Sequence, residues 1–143
     1  MPTCAVSTAK DTAPDQRRRT VESITAIHSV EATAPRYFVQ VIFNKVEPGS
    51  IVDGGGQASP DHVWVRAAIR AGRTREKAGM LRRIMHETSA ILAASEQDGR
   101  VSISDIPAVG VPEFGNGLPA LGEEEQWLAS LPGDPREKLM RAA

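Results

Sequence analysis

The chain has a single cysteine, Cys4. No internal disulfide can form, and one unpaired thiol fits a reducing compartment. There is no apolar run long enough to span a bilayer and no continuous apolar stretch at the N-terminus of the secretory kind. There is no charge excess either: 17 Lys and Arg stand against 18 Asp and Glu, for a net charge of -1. Nothing in that balance attracts nucleic acid or an anionic membrane surface. The basic run Arg17, Arg18, Arg19 has no interleaved aromatic residues for stacking on bases, so it reads as a solvated helix face. The expectation is a cytoplasmic protein with no nucleic-acid or membrane partner.

Two further signals are incomplete. The triple glycine at 54–56 leads through "QASPDHVW" into a strand, without the Lys and Ser/Thr of a phosphate loop at a helix start. The stretch "HETSA" begins like a zinc-protease helix at His86, but position 90 is Ala, so the second ligand is missing. His86 is expected on a helix surface.

What is present is a repeated pattern over 143 residues, enough for one domain with a real core. "PTCAVST" reads as a strand, and a helix follows from about Pro14 to about Ala32, with Val21, Ile24 and Ile27 at helical spacing and His28 beside them. "RYFVQVIF", from Arg36, is the most strand-like stretch, rich in aromatic and β-branched residues. A Gly, Pro, Ser and Asp-rich connection then leads to "HVWVRAAIR", where Val63, Val65, Ala67 and Ile69 alternate onto one face. Thr74 is a candidate N-cap for a second helix, whose stripe is Leu81, Ile84, Met85, Thr88, Ile91 and Leu92, ending near Ala94. "RVSISDIP", from Arg100, closes the second unit as a strand.

The expected fold is therefore α+β. Two βαβ units, about 2–46 and 62–107, form one four-stranded sheet with both helices on one face. A loop of about 47–61 joins them, and a C-terminal loop with a short helix fills about 108–143. A sheet covered on one side leaves its other face and its edges in need of a partner, so an oligomer is expected. The acids of "GEEEQWLASLP" sit at the start of the tail helix, where the helix dipole favours them.

Few residues carry candidate chemistry. Met1 precedes Pro2, and a Met before a small residue is normally trimmed, which would leave Pro2 with a free secondary amine. Arg70 ends a strand and Arg73 follows in the turn, so two guanidinium groups could clamp one carboxylate; the alternative is two surface arginines. His28 lies at the edge of the first helix's stripe, as a ligand-facing or simply packed residue. Glu113 is a lone acid in the Gly/Pro loop "PEFGNG". Cys4 is near the proposed amine, but no histidine partner is evident, so it reads as buried packing.

Taken together, "MPTC", "ITAIH", "APRYFVQVIFNKVEPGS", "HVWVRAAIRAGRT", "SDIP", "PEFG" and "GEEEQWLASLP" resemble the tautomerase superfamily, and within it the cis-3-chloroacrylic acid dehalogenase group. The resemblance covers most of the chain. It implies a homotrimer that acts on a small carboxylate without metal or cofactor. It implies Pro2 as the catalytic amine, Arg70, Arg73 and His28 on the substrate carboxylate, and Glu113 as the acid that prepares water. One position departs: the dehalogenases have a tyrosine assisting that glutamate, and this chain has Ser102, its only tyrosine being Tyr37 in another segment. A serine hydroxyl is shorter and far less acidic than a phenol.

An α-amino group titrates at about 7.7–8.0 in model peptides. Neighbouring arginines and burial push it down, and a carboxylate pushes it up. A neutral Pro2 would move a proton on a 2-oxo or enol acid. A protonated Pro2 would donate to C2 of an unsaturated acid while water adds at C3. The serine ranks tautomerisation first and cis-3-haloacrylate dehalogenation or hydration, giving malonate semialdehyde, second. A non-catalytic trimeric interaction protein is the third reading.

Overall fold

The computed structural model describes residues 2–141. The expected removal of Met1 therefore concerns a residue outside those described.

Strand β1 is Thr3–Thr8, with Cys4, Val6 and Thr8 buried on alternate positions. Helix α1 is Pro14–Ala32. Proline suits its first position because no helical N–H is needed there. The Gln16 side chain accepts the Ala13 N–H at 3.0 Å, satisfying an end group that α-helix geometry leaves free. The helix stops because Thr33 turns left-handed (φ 47°), and the Ala34 N–H closes back on the His28 carbonyl at 3.2 Å. Its inner face is Thr20, Ile24, Ile27 and His28. Val21, expected in the stripe, is 37% exposed, because the buried row passes through Thr20 instead.

Strand β2 is Gln40–Lys45, which corrects the expected start at Arg36. Arg36–Phe38 forms a 3-10 turn. The Phe38 N–H bonds to Pro35 O at 3.0 Å and the Val39 N–H to Arg36 O at 3.1 Å, so the turn uses donors that a sheet ladder would need. Phe38 packs inward at the same point, 4% exposed. The following connection carries a two-stranded hairpin, β3 (Val52–Asp53) and β4 (Gly56–Gln57), that its glycine-rich sequence had presented only as loop.

Strand β5 is Val63–Arg70, and the alternation holds: Val63, Val65, Ala67 and Ile69 are buried. Helix α2 is Lys77–Leu92. Thr74 does not cap it. Glu76 occupies that position, and the first helical bond runs from the Met80 N–H to the Glu76 carbonyl at 3.1 Å. Met80, Ile84, Thr88 and Leu92 form the buried row, each four residues from the next. Leu81, Met85 and Ile91 are half-buried beside it. Full burial of a side chain such as Ile84 contributes about 2–3 kcal/mol. Strand β6, Gly99–Ile106, follows a short turn. The tail holds two helices where one was expected, α3 (Glu124–Ser130) and α4 (Gly133–Arg141).

The sheet order is β2-β1-β5-β6. The outer pairs, β1/β2 and β5/β6, are parallel, and the central pair β1/β5 is antiparallel. Each parallel pair with its crossover helix is one βαβ unit. Both helices pack on the face that carries Cys4, Val6, Val65 and Ala67, where the core lies. The opposite face presents Ile42 and Trp64, 43% and 37% exposed.

This topology positions the site. Thr3 pairs with Gln40 and with Ala68, and Arg70 pairs with Ile106. The starts of β1 and β2 therefore meet the ends of β5 and β6 at one rim of the sheet.

Candidate active site

Pro2 immediately precedes β1 at that rim and is buried. Its carbonyl accepts the Gln40 N–H at 2.9 Å, which ties it to the start of β2. Arg70 is the last residue of β5, and Arg73 lies just beyond Gly72, whose φ of 105° suits a residue without a Cβ. His28 comes from the last turns of α1. These four residues line one narrow cleft, with Glu124 from the start of α3. Phe38, Ile69 and Leu118 supply apolar wall.

The two arginines are not equivalent. Arg70 donates from Nη2 to Glu124 Oε1 and from Nη1 to the Pro119 carbonyl. Both side chains of the Arg70–Glu124 pair are shielded, 11% and 12% exposed. Arg73 reaches only the neutral Thr33 Oγ1, at 3.3 Å, among the hydrogen bonds described. Burial and the neighbouring Arg70 charge hold the Arg73 guanidinium below its ordinary value, against the pull of Glu124 and Glu76. For Glu124, burial alone would raise the carboxyl. The hydrogen bonds from Arg70 and from backbone N–H groups, with the Arg70 charge, outweigh it and keep the group below the usual range.

His28 is fully buried. Its Nε2 lies 3.3 Å from Cys4 Sγ, which gives the thiol the partner that was not evident in the sequence. Its Nδ1 has no hydrogen-bond partner. Burial, reinforced by Arg73, lowers its pKa to about 4, so the ring is neutral near pH 7. Burial pushes the Cys4 thiol up to about 12, so it is no nucleophile in the folded chain.

Glu113 is not among the described residues that line the cleft. It is half-buried in a turn where its backbone exchanges bonds with Asn116, at 2.7 and 2.9 Å. Phe114, next to it, is left-handed (φ 52°), a strained conformation for a bulky residue. Burial raises the Glu113 carboxyl, and the positive charge at the amino end of the chain opposes that shift. Ser102 lies on β6 opposite Arg66, half-buried.

The other histidine and arginine candidates lie on the surface. His86 is exposed on α2 and pairs with Glu96 at 2.7 Å. Arg17, Arg18 and Arg19 are exposed, and Arg18 bridges Asp15 and Glu22 along its own helix. Among the described residues no group of three or more His, Cys, Asp or Glu could hold a metal ion, and no helix is long and apolar enough to cross a membrane. Sequence reasoning missed Glu124. The acids at 123–125 were visible as a helix start, but no local pattern selects the middle one as the partner of an arginine 54 residues away.

The arrangement is a small, partly apolar cleft lined by guanidinium groups and a buried prolyl residue. It suits a small carboxylate with a proton-transfer group beside it. The family profile described as "Putative oxalocrotonate tautomerase enzyme" matches residues 1–129. No curated protein matches significantly. Among solved structures, N1, a member of the cis-3-chloroacrylic acid dehalogenase (cis-CaaD) family, is similar at 35% identity and a TM-score of 0.90, over 97% of this chain and 99% of that one. Native Ps01740 is 34% identical with a TM-score of 0.71, over 78% and 99%. The F6 fused 4-OT wild-type asymmetric trimer is 25% identical with a TM-score of 0.75, over 84% and 98%. The chain therefore belongs to the tautomerase superfamily, in its cis-3-chloroacrylic acid dehalogenase-like group, and is an enzyme of that general type.

Proposed function

We propose that the protein adds water to a cis-3-substituted propenoate, releasing halide where the substituent is a halogen. The observation that carries this reading is the convergence of Pro2, His28, Arg70 and Arg73 on one cleft. Arg73, aided by Arg70 and by the neutral His28 ring, holds the carboxylate and draws electron density away from C3. Pro2, once it is the amino terminus, is a protonated secondary amine that delivers its proton to C2. Glu113 takes a proton from water as the oxygen bonds to C3. A 3-halo-3-hydroxypropanoate then loses halide and a proton to give malonate semialdehyde.

This ordering reverses the ranking drawn from the sequence, which placed tautomerisation first. Its support is the likeness to a cis-CaaD family member over nearly the whole chain, against the lower identity to the fused 4-OT. Glu113 also feels the positive charge at the amino end of the chain, one residue before Pro2, which supports a carboxylate acting near that end. Tautomerisation of a 2-oxo or enol acid is the second reading, favoured by Ser102, which lacks a phenol's acidity. We also propose a homotrimer, supported by the exposed Ile42 and Trp64 on the uncovered sheet face and by the trimeric fused 4-OT.

The test compares kcat/KM for cis-3-chloropropenoate and for phenylenolpyruvate. Faster turnover of the haloacid, lost in Pro2→Ala and in Arg73→Ala, is expected. Faster turnover of phenylenolpyruvate would restore tautomerisation to first place. No dependence of either activity on Pro2 would overturn both.

A further inference from the structure

We propose that Glu124 is a specificity-determining residue that restricts the cleft to singly charged acids. The inference rests on the carboxylate-binding reading of the cleft and deepens it. Two guanidinium groups face the cleft, and left to themselves they would suit a dicarboxylate. Glu124 removes that option. Its Oε1 accepts from Arg70 Nη2, while the other arm of Arg70 is committed to the Pro119 carbonyl. The second oxygen, Oε2, accepts the Gly122 N–H at 2.8 Å. Both oxygens are thus engaged, and the pair is nearly excluded from solvent. Moving Glu124 aside would leave Arg70 and a backbone N–H unpaired in a shielded site, which is costly.

Among the described residues Arg73 has no such partner; its bond to Thr33 is long and neutral. One ligand carboxylate on Arg73 therefore completes the charge balance of the two arginines. A second carboxylate on the same ligand would find Arg70 already paired and meet the like charge of Glu124 at low dielectric. Selectivity of this kind works by repulsion of the wrong ligand as much as by attraction of the right one.

The experiment measures calorimetric binding of cis-but-2-enoate and of maleate to the full chain at a pH where maleate is a dianion. The two acids share a cis four-carbon frame and differ in a methyl group against a second carboxylate. The wild type is expected to prefer cis-but-2-enoate. Glu124→Gln keeps the size and removes the charge, and it should shift the ratio of the two affinities at least tenfold toward maleate. Glu124→Asp keeps the charge and should leave the ratio near that of the wild type. The charge on Pro2 is common to all variants and cancels when each variant's ratio is compared with that of the wild type.

An unchanged ratio in Glu124→Gln would overturn the proposal. So would equal strengthening of both acids, which marks Glu124 as a mere competitor for Arg70. A matching shift in Glu124→Asp would trace the effect to shape. If the wild type binds neither acid, the carboxylate reading itself falls and takes this inference with it; binding of cis-but-2-enoate alone keeps the two failures apart.

Discussion

The sulfur of Cys4 lies 3.3 Å from Nε2 of His28, in a contact closed to solvent. Cys4 is on β1 two residues after Pro2, and His28 is on α1, so the contact couples the strand that carries the proline to the helix that walls the cleft. Both groups are uncharged at neutral pH, because burial drives the thiol up to about 12 and the imidazole down to about 4. A thiol that donates to Nε2 fixes the proton of the neutral ring on Nδ1, the atom left for a ligand.

Replacing Cys4 by alanine removes that donor and opens a small void. The expected loss is about 1–3 kcal/mol of stability, read from the urea midpoint. The native thiol should also resist iodoacetamide and react only on unfolding. Rapid labelling of the folded protein would show that the thiol is accessible or ionised.

The histidine makes stability depend on pH with a defined sign. Its folded value, about 4, lies below the ordinary 6.5. The unfolded state therefore binds more protons between those values, and stability rises with pH across them. The contribution is complete above about pH 6.5 and is lost as pH falls toward 4. Its size is about 3 kcal/mol. Urea unfolding of wild type and His28→Gln across this range should show a shallower slope in the variant. Parallel slopes would mean that the ring is not held neutral.

The two arginines should fail differently. Arg73→Ala removes the guanidinium that lacks a carboxylate partner, so carboxylate affinity should fall by about 10–100-fold, equivalent to about 1.5–3 kcal/mol for a charge-assisted bond, with little change in melting temperature. Arg70→Ala leaves Glu124 shielded and unpaired and should also cost about 3 kcal/mol of stability. Equal loss of melting temperature in both variants would contradict this division.

Intact mass and turnover together test the amine. Protein lacking Met1 should be active, and Pro2→Ala should lose about 10²–10⁴-fold in kcat, the usual contribution of a positioned acid or base. Activity in a sample whose mass retains all of Met1 would rule out a terminal prolyl amine.

Glu113→Gln should separate the two chemistries. Hydration needs a base for water and should fall by about 10²–10⁴-fold, whereas proton transfer on an enol acid should be largely spared. Equal losses would place Glu113 in both reactions or in the fold.

Elements with a strong local period were legible from sequence. Val63, Val65, Ala67 and Ile69 alternate because one sheet face is covered, and Pro14 and Ala32 bound α1 as expected. Arg36–Phe38 was misread because its aromatic residues favour strands, while the turn they form is decided by the contact of Phe38 with Trp127, ring centroids 5.2 Å apart, from the far end of the chain. Of the expected site residues, Pro2, His28, Arg70 and Arg73 share one cleft, and Glu113 is not among the described residues that line it.

Sequence by itself determined the two βαβ units, the helix-covered face and the residue types able to do acid–base work on a carboxylate. Those follow from local hydrophobic period and side-chain chemistry, which adjacent residues encode. Tertiary structure alone decided that Cys4 meets His28 and that Glu124 takes Arg70 while Arg73 is left toward the cleft. These pairings join residues 24 and 54 positions apart, and they arise only when the ends of β1, α1 and β5 and the start of α3 meet at one rim of the sheet.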